Sequence, residues 1–386
     1  MADTQTREPN PDTRPAPTVS FYVNGGDIAD ALKAIAPTFE RRNTIPILSK
    51  VRIFGYHDGL SFETTNLDWS MRYLIPGEYP PFEVCVDYES LAAFVRSLRG
   101  GLFRVEANAT TFRLHDFMFA TPEGVSFSTL GSQDFPQPPV RDYEVDFDFD
   151  PGLIAKVKLA ISTEETRYYL HGVYFDASAK DEGLRLVATD GHRLNLLRTD
   201  VSPSIPVETG STFPGAILPR AVALWLATQR KTGRMDMGRT GARWSCGPLT
   251  VWTKCIDGKF PDYERVLPGD ATLSVAVDRR ELISLICIAK AFRTSKSFTL
   301  NLTFDGSGLT LRHTDYDRGT VALRLASVEL SKATKEPFAI GFNGNYLLAA
   351  LSNIRDDVVT INFTDNTSPT PIHTGPLTQI LMPCRL

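Results

Sequence analysis

The chain repeats one pattern three times, and this repetition constrains its fold more than any other feature. The segments 57–68, 181–192 and 306–317 each contain a turn glycine followed by an alternating strand that ends in threonine and polar residues. The glycines are 124 and 125 residues apart, and the threonines keep this spacing: Gly59, Gly183 and Gly308; Thr65, Thr189 and Thr314. A period of this length indicates tandem domains and not a solenoid of short repeats.

Amphipathic helices are predicted on both sides of each copy, because apolar residues recur there at helical spacing. The upstream faces are Ile28, Leu32, Ile35 and Phe39; Leu153, Val157, Ala160 and Ile161; and Leu282, Leu285, Ile286 and Ala289. The downstream faces are Leu91, Phe94, Val95 and Leu98; Val222, Trp225 and Leu226; and Leu347, Leu351 and Ile354.

The order of these elements predicts an α+β fold of three tandem domains, since the helices do not alternate regularly with strands. Each domain has two helices and antiparallel sheets of short strands. The predicted boundaries are 17–143, 144–270 and 271–386. Residues 1–18 are polar and rich in proline, and we expect them to form a disordered N-terminal tail.

Composition excludes several classes of protein. The five cysteines form no C-x-x-C pair and have no metal-ligand spacing with the six histidines, so we expect reduced thiols, a cytoplasmic location and no cofactor. The longest apolar runs, such as 282–288, are too short to span a bilayer. The formal net charge is -4, so a DNA-binding role requires that positive charge be concentrated on one surface.

Five motifs in order resemble the beta subunit of bacterial DNA polymerase III, the beta sliding clamp family. They lie at 44–48, 166–172, 187–194, 258–268 and 381–386. The resemblance covers all of the chain after the tail. It implies a processivity factor without enzymatic activity, whose two chains close head to tail into a ring. Helices would line the hole and strands would form the rim. Double-stranded DNA would pass through the ring without sequence-specific contacts.

Basic residues on the predicted lining helices suit this architecture, because they lie off the apolar stripes. They include Arg96, Arg99, Lys156, Lys158, Arg220, Arg230, Lys231 and Lys290. We predict DNA contacts by Arg96, Lys158, Arg220 and Lys231 and by Arg42, which matches a DNA-contacting arginine of the family. An ordinary solvated helix face is the alternative for each. Glu89 and Glu164 depart from the family pattern, which puts individual contacts in doubt.

Negative charge is expected on the outer strands. Asp146, Asp148 and Asp150 alternate with Val145, Phe147 and Phe149, which indicates one acidic strand face. A calcium loop of the EF-hand type is excluded because Pro151 replaces the required glycine and Val157 replaces the bidentate glutamate.

The resemblance also implies a subunit interface. An edge strand with Val125 and Phe127 would meet Phe292 and its neighbours in the other subunit. Such a contact would cover edges that are otherwise prone to aggregation. The alternative is that these residues belong to the core.

A pocket for partner peptides is implied between the second and third domains and the C-terminal residues. The matching positions are Arg167, Leu170, Thr189, Gly191, His192, Arg193, Leu194, Pro261, Arg265, Val266, Tyr346, Met382, Pro383, Arg385 and Leu386. The implied partners are the catalytic subunit of DNA polymerase III, the clamp loader, and other polymerases and repair proteins with clamp-binding peptides. For Leu170 and Val266, the alternative to a pocket role is that they are ordinary core residues.

Two other functions are open at this stage. Asp190 and His192 lie close in sequence and could form a catalytic pair of a hydrolase, although no hydrolase motif accompanies them. A diverged clamp paralogue could also act as an interaction scaffold that does not encircle DNA.

Overall fold

The computed structural model describes residues 18–385, except for 42, 98–100, 109, 117–123, 139–141, 179–182, 205–212, 296, 306–307, 327 and 332–336. The chain divides into two compact units. The first comprises residues 1–140 and 243–253, and the second comprises 141–242 and 254–386. The boundaries proposed above between the three repeats stay predictions.

Each repeat contains two helices and a series of short strands in a similar order. The first repeat contains β1 (Val19–Asn24), α1 (Gly25–Ile35), β2 (Lys50–Tyr56), β3 (Gly59–Thr65), β4 (Trp69–Pro76), β5 (Phe82–Asp87), α2 (Tyr88–Ser97), β6 (Leu102–Asn108), β7 (Thr111–Asp116), β8 (Val125–Phe127) and β9 (Thr129–Leu130). The second contains β10 (Val145–Phe149), α3 (Ile154–Val157), β11 (Gly172–Asp176), β12 (Arg185–Thr189), β13 (Arg193–Arg198), β14 (Gly215–Pro219), α4 (Arg220–Leu226), β15 (Gly233–Met237), β16 (Gly241–Cys246) and β17 (Leu249–Lys254).

The third repeat contains β18 (Leu273–Asp278), α5 (Arg279–Phe292), β19 (Thr299–Asp305), β20 (Gly308–Asp315), β21 (Gly319–Leu325), β22 (Val328–Leu330), β23 (Phe338–Asn343), α6 (Gly344–Ser352), β24 (Val358–Phe363), β25 (Thr370–Thr374) and β26 (Leu377–Leu381). The predicted α+β class, with two helices and antiparallel sheets in each repeat, is confirmed.

In the first unit, one sheet has the strand order β1-β6-β7-β8, and β17, β4, β3, β2, β5 and β9 lie side by side in that order. Helix α1 packs between these strands through its buried residues Ile28, Leu32 and Ile35. Its N-terminus is capped by Asn24, whose side chain accepts a hydrogen bond from the Gly26 amide at 2.7 Å.

Helix α1 ends earlier than the apolar spacing predicts. Pro37 lies two residues after its last residue, in a 3₁₀ turn, Ala36–Thr38. The helix cannot continue through this position, because proline supplies no amide hydrogen and obstructs the helix interior. Phe39 is therefore not on the helix. Its ring stacks on Tyr88 instead, with 4.3 Å between the ring centroids. The side chain is half-buried and packs from a loop, so its predicted place on the helix is wrong.

The first predicted helix of the second repeat is much shorter than expected. Only Ile154–Val157 is α-helical, and 3₁₀ turns at Pro151–Leu153 and Lys158–Ala160 flank it. Because a 3₁₀ turn contains three residues, Val157 and Ala160 remain on one buried side. Val157, Ala160 and Ile161 are thus buried as predicted, whereas Leu153 is half-buried.

Each repeat contains a threonine followed by asparagine or aspartate, and this second residue makes the same turn every time. A side-chain oxygen of Asn66, Asp190 and Asp315 accepts hydrogen bonds from the backbone amides two and three residues later. This Asx turn ends one strand and begins the next. The residue before it is in each case the threonine of the repeat: Thr65, Thr189 or Thr314.

The second unit joins the second and third repeats through a continuous sheet of order β14-β11-β12-β13-β26-β25-β24-β18-β22. The contact between the repeats is the antiparallel pair β13–β26, with Arg193 opposite Leu381 and Leu197 opposite Leu377. The third repeat has a large apolar core, to which α5 contributes Leu282, Ile286 and Ala289. Another sheet has the order β21-β20-β19-β23.

The alternation predicted for the acidic strand is present in β10. Val145, Phe147 and Phe149 are buried, whereas Asp146 and Asp148 lie on the other face. Arg234, on the paired strand β15, forms ion pairs with both aspartates. Within the described residues, this acidic face is therefore partly neutralised.

Candidate functional site

A cavity of about 330 Å³ lies in the second unit, where strands of the second and third repeats pair. Its wall is mainly apolar. It is lined by Arg167, Tyr169, Leu170, Thr189, Gly191, Arg193, Leu194, Pro261, Asp262, Tyr263, Val266, Ile380 and Met382. An apolar concavity with a few polar groups is typical of a ligand-binding site.

Buried aliphatic side chains form the base of this cavity. Leu170, Leu194 and Ile380 are each at most 4% exposed and pack in one cluster with Val187 and Phe260. Leu170 ends a 3₁₀ segment, whereas Leu194 and Ile380 lie opposite each other on β13 and β26. The strand pairing therefore fixes the position of two of the three residues.

The rim carries two partly exposed apolar side chains, Val266 and Met382, which are each 38% exposed. Val266 ends the 3₁₀ turn Tyr263–Val266, and Met382 follows β26. The Met382 amide donates a hydrogen bond to the His192 carbonyl oxygen at 2.9 Å, which extends the strand pairing by one residue. Both side chains are available to cover an apolar ligand, and methionine adapts readily to different shapes.

Glycine is required at position 191 for two reasons. Its φ angle is +87°, and a Cβ there would lie 2.5 Å from Nη1 of Arg167. Any larger residue would therefore strain the backbone and displace the guanidinium. Arg167 is also held by Glu164, with 3.3 Å between Nε and the carboxylate.

Asp190 organises the turn between β12 and β13. Its Oδ1 accepts hydrogen bonds from the amides of His192 and Arg193, and its Oδ2 accepts one from Nε of Arg193 at 3.0 Å. Thr189 bonds the same turn through the Arg193 carbonyl at 2.7 Å. The Asp190 carboxylate is thus engaged by the turn and by Arg193, and the hydrolase interpretation of Asp190 and His192 is not supported.

Arg193 and His192 both meet Tyr346 of helix α6. The Arg193 guanidinium lies 4.4 Å from the centroid of the Tyr346 ring, and the His192 ring is 6.3 Å away and nearly parallel. Burial raises the pKa of Tyr346, and the negative charge of Asp190 adds to this effect. The phenol is neutral at pH 7, and its ring provides a face for the cation.

A buried polar cluster fixes the segment that carries Pro261 and Val266. The hydroxyl of Tyr263 donates to Asp176 and accepts a hydrogen bond from Arg185 at 3.3 Å. Burial raises the pKa of Tyr263, and its bond to the Asp176 carboxylate contributes further. Arg185 also pairs with Glu264 at 2.8 Å. These contacts anchor the 3₁₀ turn beside the cavity.

Some residues predicted for the pocket do not line this cavity. His192, Arg265, Tyr346, Pro383 and Arg385 are not on the cavity wall, and Leu386 is outside the described residues. Arg265 is exposed and pairs with Asp262 at 2.7 Å. Four wall residues were not predicted: Tyr169, Asp262, Tyr263 and Ile380. The first three lie within or beside the motifs at 166–172 and 258–268, which offered a signal for them.

The basic residues predicted to contact DNA are accessible. Arg96 and Lys231 are exposed, Lys158 and Arg220 are half-buried, and Arg42 is outside the described residues. Within the described part of the chain, none of the four has a carboxylate oxygen closer than 4.0 Å. Arg96 does bond the Ala92 carbonyl oxygen of its own helix at 2.9 Å. Their charges are available to an external anion.

Glu89 and Glu164, which depart from the family pattern, each neutralise a neighbouring arginine. Glu89 pairs with Arg41 at 2.7 Å between exposed side chains. Glu164 pairs with Arg167, as described above. Their charges are therefore offset locally, although exposed ion pairs of this kind add little stability.

The residues predicted for the subunit interface differ in exposure. Val125 is 38% exposed on β8, an edge strand, whereas Phe127 is 8% exposed and packs against Phe94 and Phe112. Phe292 is half-buried at the end of α5. Phe127 thus contributes mainly to the interior of the first unit.

Among the described residues, no helix has the length and apolar character needed to cross a membrane. Family models of the DNA polymerase III beta subunit match the chain in three parts. The N-terminal domain matches residues 19–139, the central domain 150–262 and the C-terminal domain 264–385.

Complete relatives show the same similarity. The beta sliding clamp of Caulobacter vibrioides is 30% identical over 402 residues, covering 95% of this chain and 100% of the relative. The beta sliding clamp of Pseudomonas aeruginosa is 28% identical over 382 residues, with 95% and 100% covered.

Solved structures agree over nearly the whole chain. DNA polymerase III subunit beta from Pseudomonas aeruginosa has a TM-score of 0.85 and 26% identity, and 95% of this chain and 100% of that chain are covered. A sliding clamp from Bartonella birtlesii bound to griselimycin has a TM-score of 0.84 and 27% identity, with 96% and 100% covered. This chain therefore belongs to the family of the DNA polymerase III beta subunit, the beta sliding clamp, which is a processivity factor of DNA replication and not an enzyme.

Proposed function

We propose that the cavity of the second unit binds short apolar segments of replication proteins, including the catalytic subunit of DNA polymerase III and the clamp loader. The observation that carries the proposal is the apolar wall formed by Leu170, Leu194, Val266 and Met382. Polymerase and repair proteins with similar segments would compete for the same cavity. Arg167 and Arg193 would orient the bound segment through its polar groups.

A ligand found in solved structures of related clamps can be used to probe this cavity. Clamps from Bartonella birtlesii and Pseudomonas aeruginosa have been solved with griselimycin bound. We propose that this chain binds griselimycin in the same cavity. Calorimetric titration of the full chain with griselimycin measures the dissociation constant directly.

The test uses two exposed valines. Val266→Glu places a charge on the apolar rim, and Val358→Glu places the same charge at the start of β24, where Val358 is 59% exposed. We expect at least a tenfold weaker affinity for V266E, because the carboxylate must be desolvated when the ligand binds. V358E should bind as the unmodified chain does. Equal affinities for the two variants would overturn the assignment of the cavity.

We also propose that two chains close head to tail into a ring, with the edge carrying Val125 and Phe127 against the end of α5 that carries Phe292. The support is that β8 and β21 are edge strands of their sheets among the described residues. A solution mass of about twice 42.8 kDa is expected at micromolar concentration. A monomer under these conditions would contradict the ring.

The proposed ring encircles duplex DNA, and Arg96, Lys158, Arg220 and Lys231 supply phosphate contacts, together with Arg42. The support is the absence of intramolecular ion partners for the four described residues within the described ranges. After loading onto a nicked circle, the protein should stay bound, and it should be released when the circle is linearised. Equal retention on circles and linear fragments would exclude topological binding.

A further inference from the structure

The three Asx turns differ in what their second terminal side-chain atom binds, that is, the atom that does not accept the turn amides. In the first repeat the turn residue is Asn66, whose side-chain oxygen accepts hydrogen bonds from the amides of Asp68 and Trp69. In the second repeat, Oδ2 of Asp190 binds Arg193. In the third repeat, Oδ2 of Asp315 reaches a separate segment of the chain, residue Thr294. One oxygen is sufficient for the turn, so the second oxygen in the third repeat has another role.

Asp315 attaches the end of helix α5 to the turn between β20 and β21. Its Oδ2 accepts a hydrogen bond from the Thr294 amide at 2.7 Å, and its Oδ1 accepts one from the Thr294 hydroxyl at 2.8 Å. Arg318, in the same turn, donates to the Ala291 carbonyl oxygen at 3.1 Å. These bonds, which we term the α5 clasp, hold residues 291–294 from two sides. Asp315 is 3% exposed, so its bonds are protected from solvent.

The α5 clasp lies beside a surface with exposed aromatic and aliphatic side chains. The adjoining turn presents Tyr316, which is 100% exposed, and α5 presents Ile288, which is 52% exposed. Strand β21 forms the edge of its sheet, and Phe292 lies at the end of α5. We call this surface the α5 face. Exposed aromatic and aliphatic residues beside a free strand edge mark a protein interaction site.

We propose that Asp315 is a positioning residue for the α5 face, through which a second copy of this chain closes the ring. The inference rests on the proposed ring, and it names the group that orders the closing surface before association. The helix end and the strand edge belong to separate elements, and the clasp connects them through side-chain bonds. Preorganisation of this kind strengthens binding because less conformational freedom is lost on association.

Asp315→Asn is the decisive variant. Asparagine can still accept the turn bonds, as Asn66 does in the first repeat, but its amide group would face the Thr294 N–H instead of accepting from it. We expect the dimer dissociation constant of the full chain to rise at least tenfold. Analytical ultracentrifugation over a dilution series from micromolar to nanomolar protein measures this constant.

The chain offers a closely matched control in Asp365. This aspartate also accepts four hydrogen bonds in an exposed turn, from the amides and hydroxyls of Thr367 and Ser368. Asp365→Asn should change local stability in a similar way and leave the dimer constant within twofold of the original value. Urea unfolding of both variants shows whether the loss of dimer follows from loss of fold.

Thr294→Val supplies a second, milder variant, because valine keeps the shape and the amide but removes the hydroxyl. We expect a dissociation constant about threefold higher, and further weakening when it is combined with D315N, because Oδ1 of asparagine can still accept the Thr294 hydroxyl that valine lacks. A D315N dissociation constant within twofold of that of D365N would overturn the role of Asp315. A monomeric unmodified chain would instead overturn the proposed ring itself, so the two failures are distinguishable.

Discussion

Gly191 and Arg167 are in such close contact that the guanidinium occupies the space of a missing side chain. A Cβ on Gly191 would lie 2.5 Å from Nη1 of Arg167, and the φ angle of +87° also disfavours any side chain there. The turn after β12 therefore leaves room for the Arg167 guanidinium at the cavity wall. The effect of backbone strain can be measured separately from the effect on ligand binding, because Gly319 has the same φ angle without a comparable contact.

Gly191→Ala should weaken griselimycin binding about tenfold, since Arg167 must move from the cavity wall. Gly319→Ala is the matched control, because Gly319 also has a φ of +87° but has no atom within 4 Å of its virtual Cβ. Both variants should lose about 1–2 kcal/mol of unfolding free energy from left-handed strain. Calorimetric titration and urea unfolding measure the two effects. A comparable loss of binding in G319A would remove Arg167 from the explanation.

Asp190→Asn should lower ligand affinity by about fivefold. The turn keeps one acceptor, but Arg193 loses the charged partner that holds it over Tyr346. A loss of about 1 kcal/mol is typical of a hydrogen bond of this kind. Asp357→Asn removes the partner of Arg280, a pair with side chains 69% and 74% exposed, and should leave binding unchanged. Unaltered affinity in D190N would show that Arg193 is held by its stacking alone.

Lys158→Gln and Arg220→Gln should each reduce the salt dependence of DNA binding. Every phosphate contact contributes about 0.9 to the slope of log K against log salt concentration, so each variant should lower the slope by about one. Arg280→Gln is the control, because Arg280 already pairs with Asp357 at 3.0 Å. Fluorescence anisotropy of labelled duplex between about 50 and 200 mM salt measures the slopes. Identical slopes in all three variants would place the phosphate contacts elsewhere.

Asp365 should contribute to the pH dependence of stability. Hydrogen bonds from Ser368, and then from Thr367, hold the pKa of its carboxyl well below the ordinary value. A depressed pKa stabilises the fold above the unfolded value of about 3.9, and this contribution is lost as the pH falls further. D365N should thus be less stable than the original chain at pH 7, and the difference should shrink below about pH 4. Urea unfolding at several pH values tests this, and a constant difference would argue against ionisation.

Cys85 should be unreactive in the folded protein. Burial raises the pKa of its thiol to about 12, and the residue is 0% exposed on β5. The thiolate is the reactive form, so alkylation at pH 8 should be negligible until the chain unfolds. Cys287 is exposed on α5 and provides the internal control, because it should react at once. Mass spectrometry of digests identifies the modified residue, and early labelling of Cys85 would reveal local opening of the sheet.

Sequence alone predicted the class of fold because the repeat unit carries its own local signals. Gly183 and Gly308 have φ angles of +75° and +137°, so the turns before β12 and β20 need glycine. The threonine and Asx residues at the other end recur because each makes the same turn. Helix periodicity located α1, α5 and α6. It did not reveal the shortness of α3, since 3₁₀ and α-helical turns bury similar positions.

The candidate cavity depended on the family resemblance, since its residues are far apart in the chain. Leu194 and Met382 meet only because β13 pairs with β26, and this long-range pairing leaves no periodic signal. The roles of individual polar residues were equally inaccessible. Asp190 and His192 looked like a chemical pair in sequence, but the structure assigns Asp190 to a turn. Phe127 had two open assignments, a subunit interface or the core, and the structure shows its packing against Phe94 and Phe112.

The pairing of β13 with β26 has a practical consequence for proteolysis. Residues 269–272 connect the second and third repeats. They follow the 3₁₀ turn that ends at Val266, and all four are exposed. A protease that cuts there would sever the backbone while the five residue pairs from Arg193–Leu381 to Leu197–Leu377 continue to bind the fragments. The nicked protein would elute as an intact particle on a sizing column. Only a denaturing gel would reveal two bands.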